Sequence, residues 1–221
     1  MMYGERELKM RQRKAKNLEE KLRECSEYMI TEPEAGRLDS CFDQDRPLFL
    51  EIGCGKGNFI IRKALDNPDK NYIAIEGQET VILRALEKAR AVDGGIPNLK
   101  FMMTFVHSMD EFFTEGQLEG IYLNFSDPWP KARHAKRRLT YRQRLLDYRW
   151  ALRAGGFIEF KSDNDQLYDF TLEEIGAAGL EITEESRDLH SSPYESRYTM
   201  TEYEEKFRNR GKNINYVKVV V

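Results

Sequence analysis

Residues 125–140, FSDPWPKARHAKRRLT, place an acid, a rigid aromatic ring and a block of cations next to one another. Asp127 follows an apolar run and precedes two prolines, which leave the loop little backbone freedom. Trp129 lies between these prolines and offers a flat ring for packing or for stacking a base. Residues 131–144 then hold seven Lys or Arg and no acid. Together these features predict a pocket mouth that accepts a polyanion such as a phosphate backbone.

A second cluster of chemistry-bearing residues occurs in LEIGCGKGNF, at a turn from a predicted strand into a predicted helix. The turn carries one acid and three glycines: Glu51, Gly53, Gly55 and Gly57. Glycines let the backbone approach a ligand, and the helix end supplies N–H groups that have no intrahelical partner. Glu76 ends the next predicted strand, nineteen residues after the last glycine, where an acid can accept hydrogen bonds from both ribose hydroxyls of a nucleoside. A dinucleotide fingerprint would need a glycine at position 58, which is Asn58.

Charge is distributed unevenly over the 221 residues, whose formal net charge is −3. Residues 1–16 form a second basic patch, with six Lys or Arg against two Glu. Removing the thirteen cations and two acids of both patches from the totals of 35 and 38 leaves 22 and 36, a net charge of −14. Two basic patches on an acidic body predict an electrostatic footprint for nucleic acid, although each run alone is also typical of a solvated surface.

Apolar runs alternate with amphipathic patterns from residue 47 onward. The predicted strands are 47–52, 71–76, 98–103, 120–125, 156–161, 180–187 and 213–221. The predicted helices are 57–66, 79–92, a short one near 108–113, 139–153, 164–178 and 201–210. This alternation predicts an α/β fold with a doubly wound, mostly parallel seven-stranded sheet at residues 41–221, preceded by a basic N-terminal arm and linker at residues 1–40. Ligands of such sheets bind beyond the carboxyl ends of the strands, which is where Glu51, Glu76, Asp127 and Asp163 fall.

Several protein classes are disfavoured by composition. No run approaches the ~18 apolar residues of a membrane helix, and the charged amino end has no apolar signal core, so we expect no membrane association and a cytoplasmic location. The three cysteines and three histidines are scattered, which favours neither a disulfide framework nor a metal site. The oligomeric state stays open between a monomer and a homodimer.

Three segments carry a resemblance to a known family: LEIGCGKG, YLNFSDPWPKARHAKRRLT and SPYESRYTMTEYEEKFRNRG. The spacing E-x-G-x-G-x-G resembles motif I of class I S-adenosylmethionine-dependent methyltransferases. The three segments together closely resemble the bacterial tRNA (guanine-N7-)-methyltransferases, the TrmB family, from about residue 47 to the last residue. The resemblance implies methyl transfer from S-adenosylmethionine to N7 of a guanine in the variable loop of tRNA, at position 46, to form 7-methylguanosine.

The same resemblance implies roles for individual residues. The cofactor contacts of the family would fall on Glu51, Glu76 and Asp127, above the glycine turn of Gly53, Gly55 and Gly57. Its substrate contacts would fall on Lys131, Asp163, Thr201 and Glu204. Family members usually carry Asp or Asn after the third strand, near the adenine ring. That position is Phe105 here, and Ser108 is the short polar residue nearby that we assign to the cofactor instead.

We expect Asp127 to be the catalytic residue, lying between cofactor and base. Lys131, Arg133, Lys136, Arg137 and Arg138 are predicted to contact phosphates. Arg197 and Tyr198 are candidates for a further cation and a stacking ring. Thr201 and Glu204 also fit a capping box at the start of a helix, and Asp163 also fits an N-terminal cap of helix 164–178.

Three other functions compete with this one. Asp-Pro-Trp-Pro distantly resembles the Asp/Asn-Pro-Pro-aromatic loop of methyltransferases that act on exocyclic amines, but a cation block follows it here. A non-catalytic RNA-binding protein on the same fold would not need the intact glycines, Glu76 and Asp127. A small-molecule methyltransferase would not need two basic patches.

Overall fold

A computed structural model of the chain describes residues 17–195, 199, 201, 204 and 212–221. Its α-helices are α1 Leu18–Glu24, α2 Asn58–Asp66, α3 Glu79–Arg90, α4 Arg142–Ala151 and α5 Asp165–Ala178. Its strands are β1 Leu48–Ile52, β2 Asn71–Ile75, β3 Leu99–Met102, β4 Leu118–Asn124, β5 Leu152–Ser162, β6 Glu181–Ser186 and β7 Asn215–Val220. The basic patch of residues 1–16, most of the predicted helix 201–210, and both Arg197 and Tyr198 lie outside the described residues.

The strands form one seven-stranded sheet in the order β3-β2-β1-β4-β5-β7-β6. Strands β1 to β5 are parallel to one another, whereas β7 lies antiparallel between β5 and β6. The predicted α/β class and the mostly parallel seven-stranded sheet are confirmed. The order reverses between β1 and β4, because β2 lies on one side of β1 and β4 on the other. A reversal of this kind opens a crevice at the carboxyl ends of the two strands.

Helices cover both faces of the sheet, so β1 and β2 are buried along their whole length. On one face α2 and α3 pack through residues such as Ile60 and Leu86. On the other face α4 and α5 pack through residues such as Tyr148 and Leu167. Each large apolar side chain buried in this way contributes roughly 1.5–3 kcal/mol, and the strand ends that carry the site therefore rest on a rigid support.

The segment that precedes the predicted domain boundary at residue 41 packs on the sheet. The backbone N–H of Ile30 donates to the carbonyl of Phe101 at 2.9 Å. Phe101 belongs to β3, the edge strand of the sheet. Tyr28 and Leu38 are buried in the two apolar clusters that flank the sheet. This segment covers part of an edge that would otherwise expose backbone hydrogen-bonding groups. The boundary at residue 41 stays a prediction.

Element boundaries around α4 and at the short helix near 108–113 differ from the sequence-based expectation. The helix predicted at 139–153 begins only at Arg142, and β5 follows it directly, so β5 starts four residues before the predicted strand 156–161. Leu152 pairs with Leu118 of β4, which extends β5 toward its amino end. The short helix near 108–113 is a single 3-10 turn, Met109–Glu111. Within the described residues no helix is long and apolar enough to cross a membrane.

Candidate active site

A cleft with two lobes opens where the strand order reverses, beyond β1 and β4. The acidic lobe has a cavity volume of about 570 Å³ and is lined by Glu51, Asp163 and Thr201, among others. The apolar lobe has a volume of about 440 Å³ and is lined by Glu76 and Phe105, among others. Five residues line both lobes: Gly53, Gly55, Phe125, Ser126 and Asp127. The structure therefore brings Asp127 to the wall between the lobes, as its position after β4 predicts.

The glycine turn after β1 forms the floor of this cleft. Gly53, Gly55 and Gly57 adopt φ angles of 79°, 57° and 76°, in the left-handed region that side chains disfavour. A Cβ atom at Gly53 or Gly55 would meet no other atom within 4 Å, so both backbones face open space. A Cβ atom at Gly57 would lie 2.6 Å from the Cβ of Ala85, so the third glycine is needed for α2 to pack on α3.

The carboxylate of Glu76 is held in the apolar lobe by two backbone donors. Its Oε2 accepts from the N–H of Gly55 at 3.2 Å, and its Oε1 accepts from the N–H of Gln78 at 2.9 Å. These bonds tie the end of β2 to the glycine turn and fix the orientation of the carboxylate. A carboxylate with further lone pairs at this strand end is suited to the hydroxyls of a ribose.

Glu51 is the most deeply buried acid of the acidic lobe, with 2 % of its surface exposed. Its Oε1 accepts from Asn124 Nδ2 at 2.9 Å, whereas its Oε2 has no hydrogen-bond partner among the described residues. Burial raises the pKa of Glu51 to about 7, although the Asn124 hydrogen bond and the nearby charge of Lys161 act in the opposite direction. A buried carboxylate oxygen without a partner is suited to a ligand ammonium group.

The Asp-Pro-Trp-Pro loop is held in a strained conformation. Phe125 and Trp129 have φ angles of 51° and 40°, which cost on the order of 1–3 kcal/mol each outside glycine and persist only where the surroundings fix them. Arg138 provides that restraint, because its Nε donates to the carbonyl of Pro128 at 3.0 Å and its Nη2 to that of Trp129 at 3.1 Å. The restrained loop presents Asp127 to both lobes.

Part of the cationic block forms an exposed rim beside this loop. Lys131, Arg133, Lys136 and Arg137 are all exposed. The guanidinium of Arg137 lies 4.9 Å from the ring centroid of Trp129, in a cation–π contact that keeps this charge near the cleft. Lys131 and Arg133 do not line either lobe, so their predicted contacts with substrate fall at the rim, where a phosphate backbone would pass.

The other cations of the block bind the protein itself. The guanidinium of Arg138 lies 4.2 Å from the ring centroid of Phe170, behind the loop that it restrains, so its predicted contact with phosphates stays a prediction that this position does not favour. Arg144 Nη1 donates to the carbonyl of Val106 at 2.9 Å, which fixes the segment after β3. Arg142 Nη2 lies 3.6 Å from Glu174 Oε1. Local sequence gives no means of separating the half-buried Arg138 and Arg144 from the exposed arginines of the block.

The predicted substrate contacts Asp163, Thr201 and Glu204 have different environments. Asp163 lines the acidic lobe and its Oδ2 lies 3.1 Å from Lys212 Nζ, while Asn164 rather than Asp163 caps α5 by accepting from Leu167 N at 2.8 Å. Thr201 also lines this lobe.

Glu204 lies behind Thr201 and does not line either lobe. The two residues form the capping box that their spacing predicts: Thr201 N donates to Glu204 Oε2 at 2.6 Å, and Glu204 N donates to Thr201 Oγ1 at 3.0 Å. Lys161 Nζ donates to both carboxylate oxygens of Glu204 at 3.2 and 3.3 Å, and both side chains are 1 % exposed. The structure therefore places Glu204 as a buried support of Thr201.

Ser108 is not part of the cleft. Its hydroxyl lies 3.5 Å from Asp147 Oδ1, and it lines a separate depression on α4. The N–H of Met109 donates to Asp147 Oδ2 at 2.9 Å, so α4 holds this turn away from both lobes. The assignment of Ser108 to the cofactor stays a prediction that this position does not favour, whereas Phe105 does line the apolar lobe.

Two residues of the site carried a signal that sequence reasoning did not use. Asn124 ends the apolar run of β4 and orients Glu51. Lys161 is a charged residue inside the apolar run of β5, beside Asn124 in the register of the two strands. A charged side chain within a buried strand needs a partner of opposite charge, so Lys161 predicts a buried acid nearby, which in the structure is Glu204.

The fold and the site define the class. The strand order reverses at β1 and β4, and the glycine turn leaves two backbones open. The Glu76 carboxylate is held after β2, and Glu51, near the end of β1, has one buried oxygen without a partner among the described residues. Together these are features of a class I S-adenosylmethionine-dependent methyltransferase. Residues 45–217 match the sequence model of a family described as "Putative methyltransferase".

Close relatives narrow the class to one family. The tRNA (guanine-N(7)-)-methyltransferases of Streptococcus pyogenes serotype M5 (strain Manfredo) and serotype M1 are each 44 % identical to this chain over 211 residues, which cover 95 % of this chain and 99 % of theirs. The chain belongs to the tRNA (guanine-N7-)-methyltransferase family.

Solved structures of lower identity share the fold. The 16S rRNA methyltransferase KamB superposes with a TM-score of 0.61 at 12 % identity, covering 85 % of this chain and 93 % of that one. A SAM-dependent methyltransferase from Aquifex aeolicus superposes with a TM-score of 0.55 at 12 % identity, covering 93 % and 90 %.

Proposed function

We propose that this chain transfers a methyl group from S-adenosylmethionine to N7 of a guanine in the variable loop of tRNA, in the cytoplasm. The observation that carries the proposal is the position of Asp127, on the wall between a lobe suited to a nucleoside and a lobe lined by carboxylates. The relatives at 44 % identity, which are named for this reaction, support the same conclusion.

The residues of the cleft fit S-adenosylmethionine. Glu76 would accept from the ribose hydroxyls, and the open backbones of Gly53 and Gly55 leave room for the ligand to lie against the turn. Glu51 would pair with the ammonium of the methionine end, because its buried Oε2 has no partner among the described residues. When bound, S-adenosylmethionine supplies a methyl group on a positively charged sulfur, which leaves as a neutral thioether.

Alignment is the main task that this reaction leaves to the protein. Guanine N7 carries a lone pair in the neutral base, so no side chain has to remove a proton before attack. The bond from N7 to the methyl carbon forms as the bond from that carbon to sulfur breaks, and positive charge moves to the purine. Proximity and orientation of two reactants contribute up to about 7–11 kcal/mol in favourable cases. Asp127, on a loop restrained by Arg138, would orient the base toward the methyl donor.

Carboxylates of the acidic lobe would stabilise the charge that develops on the purine. Asp127 and Asp163 both line this lobe, so both carboxylates would lie near a purine bound there. A carboxylate such as Asp163 would also accept hydrogen bonds from N1–H and the amino group of guanine. Adenine has no N1–H and no 2-amino group, so this contact would select guanine.

The exposed rim would hold the tRNA backbone while one base enters the cleft. Lys131, Arg133 and Lys136 supply cations there, and Trp129 supplies a ring beside them. The basic patch at residues 1–16, within the predicted arm, would add further phosphate contacts.

The proposal is tested with methyl-labelled S-adenosylmethionine and an unmodified tRNA transcript. We expect the label in 7-methylguanosine at the variable-loop guanine, and none when 7-deazaguanosine, which lacks N7, replaces that guanine. Label on an exocyclic amine would support the competing amine methyltransferase. Cofactor binding without label in any nucleoside would support a non-catalytic RNA-binding protein.

The role of Asp127 is tested by Asp127→Asn, which keeps the shape of the side chain and removes its charge. We expect turnover to fall by roughly 10²–10³, as for removal of one electrostatic contact to a transition state. Asp93→Asn, an exposed acid after α3, is the matched control and should keep normal turnover. Near-normal turnover of Asp127→Asn, with an unchanged melting temperature, would refute the assignment.

A further inference from the structure

Phe105 has an unusual environment for a large apolar side chain. It is 62 % exposed, the highest value among the large hydrophobic residues that the structure describes. It follows β3 and lines the apolar lobe of the cleft, not an isolated part of the surface. An exposed phenyl ring that faces a ligand cavity indicates a surface that a ligand covers.

The chain makes room for this ring at Gly77. A Cβ atom added at Gly77 would lie 2.3 Å from Phe105 Cε1 and Cζ, far inside van der Waals contact. The φ angle of Gly77 is outside the left-handed region, so its backbone does not require glycine. The absence of a side chain at Gly77 therefore leaves the space that the Phe105 ring occupies, and the ring packs directly on the backbone after Glu76.

The order of groups along the cleft identifies what lies over the ring. Glu51, the partner for an ammonium, is in the acidic lobe, and Glu76, the partner for a ribose, is in the apolar lobe. A nucleoside whose ribose binds Glu76 and whose other substituent reaches the acidic lobe must place its base in the remaining part of the apolar lobe. The walls of that lobe include Ile52, Ile75 and Phe105.

We propose that Phe105, seated on Gly77, is the platform on which the adenine ring of S-adenosylmethionine stacks in this chain. Residues 104–107 contain no carboxylate or amide side chain, so the face of the base, rather than an acidic acceptor from this segment, supplies the contact. The inference rests on the assignment of the cofactor and is independent of the RNA substrate.

The test is the affinity of wild type and variants for S-adenosylhomocysteine, measured by isothermal titration calorimetry. Loss of one base-stacking aromatic ring weakens binding by about 5-fold to about 140-fold, which is the range we expect for Phe105→Ala. Phe105→Tyr should keep the affinity. Leu65→Ala removes an exposed apolar side chain of α2 that is 47 % exposed and lies outside both lobes, and it should bind as wild type does.

A double-mutant cycle separates stacking from general disturbance of the lobe. Gly77→Ala should displace the ring and weaken binding on its own, but it should add little to Phe105→Ala, because the ring it displaces is then absent. 5′-Methylthioadenosine has the base and ribose without the amino acid end, so Phe105→Ala should weaken its binding by a similar factor.

Affinity of Phe105→Ala within about twofold of wild type would overturn the proposal. An equal loss from Gly77→Ala in the wild-type and Phe105→Ala backgrounds would overturn the pairing of these two residues. Failure of wild type to bind S-adenosylhomocysteine would overturn the cofactor assignment as well. If methylation falls on an atom other than guanine N7, the RNA proposal fails while these binding measurements still decide the role of Phe105.

Discussion

Glu51 is expected to make cofactor binding depend on pH close to neutrality. Its carboxylate is 2 % exposed, its Oε2 has no partner among the described residues, and burial raises its pKa to about 7. Only the ionised carboxylate forms an ion pair with the ammonium of the ligand. A group with a pKa of about 7 is about one tenth ionised at pH 6 and about three quarters ionised at pH 7.5, so affinity should fall about eightfold from the higher to the lower pH.

The assay is isothermal titration calorimetry of S-adenosylhomocysteine at about pH 6 and pH 7.5, with Glu51→Gln as the matched variant. Gln keeps the shape of Glu and does not titrate, so its affinity should be weaker at the higher pH and nearly constant between the two. Titrations near pH 6 in buffers of different ionisation enthalpy should show release of close to one proton for wild type and of none for Glu51→Gln. A flat affinity of wild type, or the same slope in both proteins, would refute the reasoning.

The same group should affect the stability of the ligand-free protein with a defined sign. The pKa of Glu51 rises from the ordinary value of 4.5 to about 7 on folding, so the folded state binds the proton more tightly. The free energy of unfolding therefore falls by an amount on the order of 3 kcal/mol as pH rises from about 4.5 to about 7. Above that pH this contribution is constant. Glu51→Gln should remove this part of the pH dependence, measured by urea unfolding. Buried Glu159, whose pKa is also raised, should keep its own contribution in both proteins.

Three further predictions concern the supports of the site and its rim. Lys161→Met leaves the carboxylate of Glu204 buried without its cation and should lower the free energy of unfolding in urea by about 3–5 kcal/mol. The double variant Lys161→Met with Glu204→Leu should recover this loss except for about 1 kcal/mol, which is the contribution of the lost cap. Equal losses in the single and double variants would contradict a buried ion pair. Gly57→Ala, at a φ of 76° and 2.6 Å from a side chain of α3, should lower the melting temperature clearly, and an unchanged melting curve would refute this packing role. Lys131→Gln with Lys136→Gln should reduce the slope of log affinity for tRNA against log salt by roughly 1–2; an unchanged slope in filter binding would remove both residues from the phosphate contacts.

Strand-end chemistry is the part of the site that the sequence predicts well. Glu51, Glu76 and Asp127 each follow a short apolar run, and parallel strands bring their carboxyl ends to one edge of the sheet. These three residues accordingly line one cleft in the structure. The strand pattern succeeds because β1 and β2 are buried on both faces, and continuous burial leaves continuous apolar runs in the sequence.

Side-chain direction in irregular segments is the part that the sequence does not predict. Arg138 and Arg137 are adjacent and chemically identical, yet one restrains the loop from behind and the other lies over Trp129 at the rim. Ser108 is close in sequence to Phe105, which lines the apolar lobe, but contacts with the carboxylate of Asp147 on α4 hold the turn at Ser108 and Met109 outside that lobe. These outcomes depend on partners that are distant in sequence, and no local pattern encodes those partners.

The charge distribution of the cleft follows from the charge of what reacts in it. Glu51, Asp127 and Asp163 line the acidic lobe, so this lobe attracts a cationic methyl donor and a purine that becomes cationic on methylation. The same carboxylates repel an RNA backbone, and a cleft of this kind would reject tRNA if its surroundings were also acidic. Under the proposed function, the exposed cations that begin with Lys131 would resolve this conflict, because they would hold phosphates at the rim while one uncharged base passes inward. An acidic protein with one dense basic block is therefore what this chemistry requires, and neutralising the rim should reduce affinity for tRNA without changing affinity for the cofactor.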